Sequence, residues 1–308
     1  MFFRLTLLSA LFFLPCICAA QRYMPDFPDE DAQKLFDRAE KAYVNGKHER
    51  SAKVYEYLMK EHGETYELLF NRITSLVHTT DTVALEDSFR RLLSSPFHDC
   101  NFLSLNEDFR QIKYRPVFNL WRQAVADCLG KQQAEEDKIS MPGVRSNLLW
   151  MKFQNVSSDI KVVHKIRYGA YPEISYDSLR QFRAKIYQDQ FDHLLAIVQE
   201  NGWLGKSKVG EDGAEAAWLI AQHGTHAPIE QVKLLPILLA AVNEGEAEMR
   251  HYAHLFDLVC SHHRRPQRYG TLRWENPESG LWELYPLEDS TGVNLFRKEA
   301  GLEKLEGF

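Results

Sequence analysis

Gln222 and His223 close the stretch GAEAAWLIAQH, whose alanines, Trp218, Leu219 and Ile220 fall on almost every side. A helix that is apolar all round is buried. An amide and an imidazole at its end then need partners, because each one left unpaired costs about 1–3 kcal/mol. An imidazole can also move a proton near neutral pH, and a carboxylate that orients the ring makes it an effective acid or base. His223 is therefore the candidate acid/base and Asp257 the candidate orienting carboxylate, with Gln222, Gln267, Arg268 and Tyr269 as candidate contacts to a small polar ligand. The plainer reading is that Gln222 and His223 cap neighbouring carbonyls.

The stretch HHRRPQRYGTLRW, residues 262 to 274, divides in two. His262, His263, Arg264 and Arg265 fall in the last turn of a helix, where cations complement the negative end, and Pro266 forbids continuation. The half that follows sets Gln267, Arg268 and Tyr269 on a glycine-containing turn, which has no conformational need of such directional donors.

Metal chemistry is a weaker reading. His223 and His226, and His251 and His254, are each three apart, a spacing that offers two ring nitrogens on one helical face. Gly224 and Pro228 interrupt the first pair, and no glutamate-bearing motif sits between either, so no metal is assigned. Serine nucleophile elbows, phosphate-cradling glycine loops and dinucleotide fingerprints are absent, and no cofactor is implied.

The elements that position these residues are mainly helical. Leu179, Phe182, Ile186, Phe191, Leu194, Leu195 and Val198 recur at helical spacing until Asn201 and Gly202 stop the run. Pro228 opens a helix with the stripe Leu234, Leu235, Leu238, Leu239 and Val242. From about Glu246 to His263, Met249, Tyr252, Leu255, Phe256, Val259 and Cys260 share one face, with His254 and Asp257 on the other.

Upstream, residues 30–64 place Ala39, Ala42, Gly46, Ser51, Tyr55 and Leu58 as an antiparallel helical hairpin requires. They resemble one tetratricopeptide-type repeat, with Ser51 and His48 in place of the usual alanine and aromatic. A second, degenerate pair over about 64–95 is expected from Leu68, Leu69, Ile73 and Leu76, then Leu85, Phe89, Leu92 and Leu93. Phe102, Leu105, Phe109 and Ile112 mark a short helix and Pro116 opens another, so the array ends near 130. A polar passage with Pro142 and Gly143 reads as a boundary, and Ile160, Val162, Val163, Ile166 and Tyr168 suggest a short β hairpin or arm. The expected organisation is a signal peptide over 1–20, a tetratricopeptide-like region over 21–130, a linker or inserted arm over 131–174 and a compact helical domain over 175–308.

From about Tyr187 to the end the chain resembles the uncharacterised, mainly bacterial family called domain of unknown function 6624. The matching residues include Gln190, Trp203, Trp218, Gln222, His223, Gln231, Asp257, the block from Pro266 to Thr271, Arg297 and Gly301. That family usually has an arginine after the aspartate, where this chain has Leu258, and an acidic residue where it has His226. The resemblance implies a helical domain with a shared polar site and brings no known reaction.

With 308 residues, 44% of them hydrophobic, the chain has length and composition for two modest cores. The opening MFFRLTLLSALFFLPCICAA has one basic residue, Arg4, and an apolar run too short to span a bilayer, as a secretory signal peptide does. Cleavage before Gln21 gives an exported, periplasmic or secreted protein; a lipid anchor on Cys16 or Cys18 is the alternative. Past the leader no apolar run reaches membrane-spanning length, and a net charge of −6 offers no general attraction to nucleic acid. In an oxidising compartment Cys100 and Cys128 are candidates for a disulfide, leaving Cys260 free, as a buried inert thiol or as a thiolate favoured by HHRR. Two functions fit. One is a binding or scaffold protein that takes a protein or peptide through its N-terminal helices; the other is an enzyme acting on a small polar ligand through His223 and Asp257.

Overall fold

The computed structural model describes residue 27 and residues 29–94, 100–275 and 282–307. The leader and its cleavage point at Gln21 lie outside the described residues. The fold is mainly α, and the chain forms two compact units. The first holds the described residues up to 94 with Leu105–Trp121 and Val163–Ser175; the second holds residues 100–104, Arg122–Val162 and the described residues from Tyr176 on. Among the described residues no helix is long and apolar enough to cross a membrane.

In the first unit α1 (Glu30–Val44) and α2 (His48–His62) form a hairpin, and α3 (Tyr66–Leu76) and α4 (Thr82–Ser94) follow it. Asp29 caps α1 by accepting from the Asp31 amide at 2.9 Å, and Thr65 caps α3 by accepting from Leu68. Gly46, at φ +69°, makes the α1–α2 turn that a side chain would strain. Ala39, Ala42, Ser51, Tyr55 and Leu58 are all buried, and the Ser51 and Ser75 hydroxyls join α2 to α3 at 3.0 Å. Phe70 and Phe89 pack on Phe109, which lies in a short 3-10 helix over Glu107–Ile112, with ring centroids 5.7 and 5.8 Å apart.

The second unit begins with α5 (Cys100–Leu105) and α6 (Phe118–Glu136). A disulfide links Cys100 to Cys128 across a sequence separation of 28. There follow α7 (Pro142–Tyr168), α8 (Tyr176–Asn201), α9 (Lys206–Gln222), α10 (Pro228–Asn243) and α11 (Met249–His262). A small antiparallel sheet of β1 (Arg273–Glu275) and β2 (Trp282–Leu284), then α12 (Val293–Glu299), complete the unit. Its core gathers Leu148 and Met151 of α7, Phe191, Leu194 and Val198 of α8, Ala217 and Ile220 of α9, Leu234 and Leu238 of α10, and Leu255 of α11. Arg145, 3% exposed, bonds both Asp212 oxygens at 2.9 and 2.6 Å, tying α7 to α9. Gly224 is demanded by packing: a Cβ there would stand 2.2 Å from the Phe191 ring.

The short β hairpin or arm expected within residues 131–174 is helical instead. Glu136 ends α6, and α7 runs without interruption from Pro142 through all five residues expected in a hairpin. Two buried stripes explain it, one of Leu148, Met151, Asn155, Ser158 and Val162, the other of Phe153, Ser157, Ile160 and His164. Both have helical period, and their polar members hide it from a reading of apolar residues alone. The β-branched run counts for less than this burial. The one antiparallel strand pair among the described residues comes later, Arg273–Glu275 with Trp282–Leu284.

Candidate functional site

Asp257 projects from α11 and is fully buried. One carboxylate oxygen accepts the backbone N–H groups of Arg268 at 2.8 Å and Tyr269 at 3.1 Å. The other accepts the N–H of Thr271 at 3.0 Å and its hydroxyl at 2.9 Å. Arg297 of α12 takes the carbonyls of the same turn, donating from one Nη to Tyr269 at 2.7 Å and Gly270 at 3.1 Å. Gly270 reverses the chain at φ +63°, where a side chain would be strained.

Gln267 is 1% exposed and equally committed. Its Nε2 donates to the Leu272 and Tyr285 carbonyls at 3.0 and 2.9 Å, and its Oε1 accepts from the Leu272 N–H at 2.9 Å. Tyr269 is buried edge-on against Phe256, and burial pushes its phenol up. Arg268 pairs with Glu288 at 2.9 and 3.2 Å and lies over the Phe256 and Phe296 rings. Asp257, Gln267, Arg268 and Tyr269 thus form an internally bonded latch between α11, the sheet and α12 rather than a set of ligand contacts.

His223 belongs to a different cluster. It C-caps α9, stacks on Tyr187 with centroids 4.1 Å apart and planes 6° apart, and its Nδ1 lies 3.3 Å from the Asn155 amide nitrogen. That bond makes Nδ1 the acceptor and places the proton of the neutral ring on Nε2. Burial holds the ring below the ordinary histidine range, against the attraction of Asp159. The Tyr187 hydroxyl donates to Asp159, which also faces Arg183 at 3.4 Å. The group that orients His223 is therefore Asn155, whereas the oxygens of Asp257 are taken by the 268–271 turn. The partner of Gln222 is equally local: its carbonyl, with that of Ala221, accepts from the Gln231 amide at 3.2 and 2.9 Å, so Gln231 caps α9 from α10.

The histidines do not converge. His226 faces Asp192 at 3.6 Å, while His251 and His254 flank Trp218. Among the described residues no group of three or more His, Cys, Asp or Glu is placed to hold a metal ion. HHRR closes α11 as a Schellman turn: Arg264 takes a left-handed φ of +56°, and the Arg265 and Arg264 amides donate back to Cys260 and Ser261 at 2.8 and 3.0 Å. Burial, with Asp257 second, pushes the Cys260 thiol up despite Arg265 and Arg268, so it is not an activated thiolate.

The latch builds one wall of a cleft of about 490 Å³. Thr271, Arg273 and Arg297 meet Trp218 of α9 and His251 and His254 of α11 there, with Glu215 and Arg250 at its border. His251 stacks on Trp218 at 4.3 Å with planes 13° apart, and the indole N–H donates to the His251 carbonyl at 3.2 Å. Burial pushes His251 down to about 4, against the pull of Glu215 at 4.0 Å. His254 meets Trp218 edge-on at 5.7 Å and is likewise lowered by burial, with Asp257 opposing. At neutral pH both rings are uncharged, so the charge of the cleft is three arginines against one carboxylate. A second pocket of about 130 Å³ shares Glu215, Arg250 and His251 with it. Reading for acid/base pairs missed this cleft. The available signal was that Trp218, Gly270, Thr271 and Arg297 all fall among the residues of the family resemblance, although three distant segments carry them.

No curated protein and no solved structure matches the chain. Residues 154–308 match the family of unknown function DUF6624, a span that begins one residue before Asn155 and contains the latch, the cleft and His223. That span is just over half of the chain, and the protein belongs to the DUF6624 family.

Proposed function

We propose that the protein is an exported helical binding protein whose second unit holds a small anionic ligand in the cleft around Trp218. The observation that carries this reading is the convergence of Arg250, Arg273 and Arg297, with Glu215 as the one carboxylate, around a concave space of about 490 Å³. That volume lies within the roughly 300–1,000 Å³ of small-ligand sites. Among the described residues the His254 ring has no hydrogen-bond partner, so it can donate or accept at neutral pH. Arg273 is exposed and has no carboxylate partner among the described residues, while Arg297 is fixed by its carbonyl contacts and presents a pre-positioned charge. A carboxylate or phosphate on a planar or apolar body suits this lining. The leader-like first twenty residues and the Cys100–Cys128 disulfide support export. The tetratricopeptide-like spacing of the first helices supports a peptide or protein partner for the first unit.

Catalysis by His223 and Asp257 is the less supported function, because their hydrogen bonds go to different partners. The test is calorimetric titration of the full mature chain with inorganic phosphate, a phosphomonoester and a dicarboxylate. At least one should bind, and Arg273→Ala should weaken it by roughly tenfold or more at unchanged stability, as expected for one charge-assisted contact. Absence of binding by all three probes, or an Arg273→Ala variant that binds as well as the parent, would overturn the proposal.

A further inference from the structure

The first unit carries a basic groove that folding does not require. Arg38 and Lys41 of α1, Lys47 and Arg50 at the start of α2, and Arg167 near the end of α7 line a space of about 780 Å³ that contains one carboxylate, Asp37. Asp37 is already engaged, accepting from Tyr168 at 2.8 Å and Gln33 at 3.1 Å and facing Arg167 at 3.7 Å. Arg38, Lys41, Lys47 and Arg50 have no carboxylate partner among the described residues. Several other cations of the unit do pair with carboxylates: Lys34 with Glu30, Arg72 with Glu56, and Arg91 with Glu56, Glu64 and Asp87. A chain with 43 acidic and 37 basic residues does not lack carboxylates to pair them.

Part of the arrangement runs against local helix stability, although Lys41 lies in the last turn of α1, where a cation is favoured. Arg38 and Lys41 are like charges three residues apart on one face. Lys47 is the N-cap of α2 without a side-chain cap bond, and Arg50 lies in its first turn, where the helix dipole disfavours cations. Glu49 shares that turn but does not line the groove. Uncompensated cations, gathered on one concave surface at some cost to the helices, are what an anionic partner would use.

We propose that this groove docks an acidic peptide segment, one carrying several carboxylates within a few residues. A nucleic acid fits less well. The lining offers one aromatic ring, Tyr168, whose hydroxyl is bound to Asp37, so base stacking has no platform, and a net charge of −6 repels a long polyanion. A short acidic segment meets the local cations within a Debye length of about 8–10 Å and escapes most of the remaining charge. The site is independent of the cleft around Trp218, so either proposal can fail alone.

The experiment is fluorescence anisotropy of the full mature chain with fluorescein-labelled hexaglutamate, hexalysine and a short oligothymidylate, at low and at physiological salt. Hexaglutamate should bind more tightly than the other two and weaken with salt. Arg38→Glu with Arg50→Glu should cut its affinity roughly tenfold or more, and the neutral pair Arg38→Gln with Arg50→Gln should cut it less, both at unchanged melting temperature. Arg273→Ala should leave it unchanged. Hexaglutamate that does not bind at low salt, binding that survives the charge reversal or falls with Arg273→Ala, or oligothymidylate binding as tightly as the peptide would overturn the proposal.

Discussion

Replacing Asp257 by asparagine keeps the shape of the side chain and removes its charge and one acceptor. The carboxylate accepts two hydrogen bonds on each oxygen, from Arg268 and Tyr269 on one side and twice from Thr271 on the other. An amide that keeps its oxygen toward Arg268 and Tyr269 sets its NH2 against the Thr271 N–H, donor against donor; the Thr271 hydroxyl can rotate to accept, and the amide N–H cannot. Flipping the amide moves the conflict to Arg268 and Tyr269. At least one buried N–H is orphaned, at about 1–3 kcal/mol, and the surviving bonds fall from the roughly 1.5–3 kcal/mol of charge-assisted contacts toward 1. Asp257→Asn should therefore destabilise the second unit by about 2–5 kcal/mol. Urea denaturation followed by circular dichroism measures the loss. Hydrogen exchange locates it, since the Tyr269 and Thr271 amides should lose protection before the core helices. A loss below about 1 kcal/mol with both amides still protected would refute the latch and return Asp257 to the pool of residues available for chemistry.

The Cys100–Cys128 disulfide closes a loop with a sequence separation of 28, so on chain entropy alone Cys100→Ser with Cys128→Ser should cost about 3.5 kcal/mol; an unchanged urea midpoint would mean that the unfolded chain is not constrained by it. His251 has an ordinary value of 6.5 and is pushed down to about 4 in the fold. Between those values the unfolded chain binds more protons, so stability falls as pH drops through this window, by about 3 kcal/mol in full. Urea midpoints at several pH values should show a shallower acid loss in His251→Gln, and identical slopes for variant and parent would show that His251 does not carry this term.

The length, the hydrophobic periods and the stop signals determined most of the helices. Gly46, Gly202 and Pro228 each punctuate where the sequence places them, because backbone restriction is local and needs no neighbour to act. Ala39, Ala42, Tyr55 and Leu58 were legible as hairpin packing for the same reason: spacing along one helix already fixes which residues share a face. The identity of α7 was not legible, since four of the nine residues in its buried stripes are Asn155, Ser157, Ser158 and His164, whose burial depends on partners that the local sequence does not name.

The polar residues of the second unit show the same division. Sequence singled out Gln222 and His223 as groups that need partners, because that need is a property of the residue and its apolar surroundings, and offered Asp257 and Gln267 as site residues instead. Which partner each takes is a property of the tertiary structure. The turn from 267 to 272 folds back onto α11, α12 supplies Arg297 to its carbonyls, and α7 supplies Asn155 to His223, so residues that read as one site separate into a latch and a distinct cluster. The cleft around Trp218 was invisible for the converse reason. Its arginines and histidines come from α11, the sheet and α12 and its Trp218 and Glu215 from α9, and only the packing of those elements gives them a common concave surface.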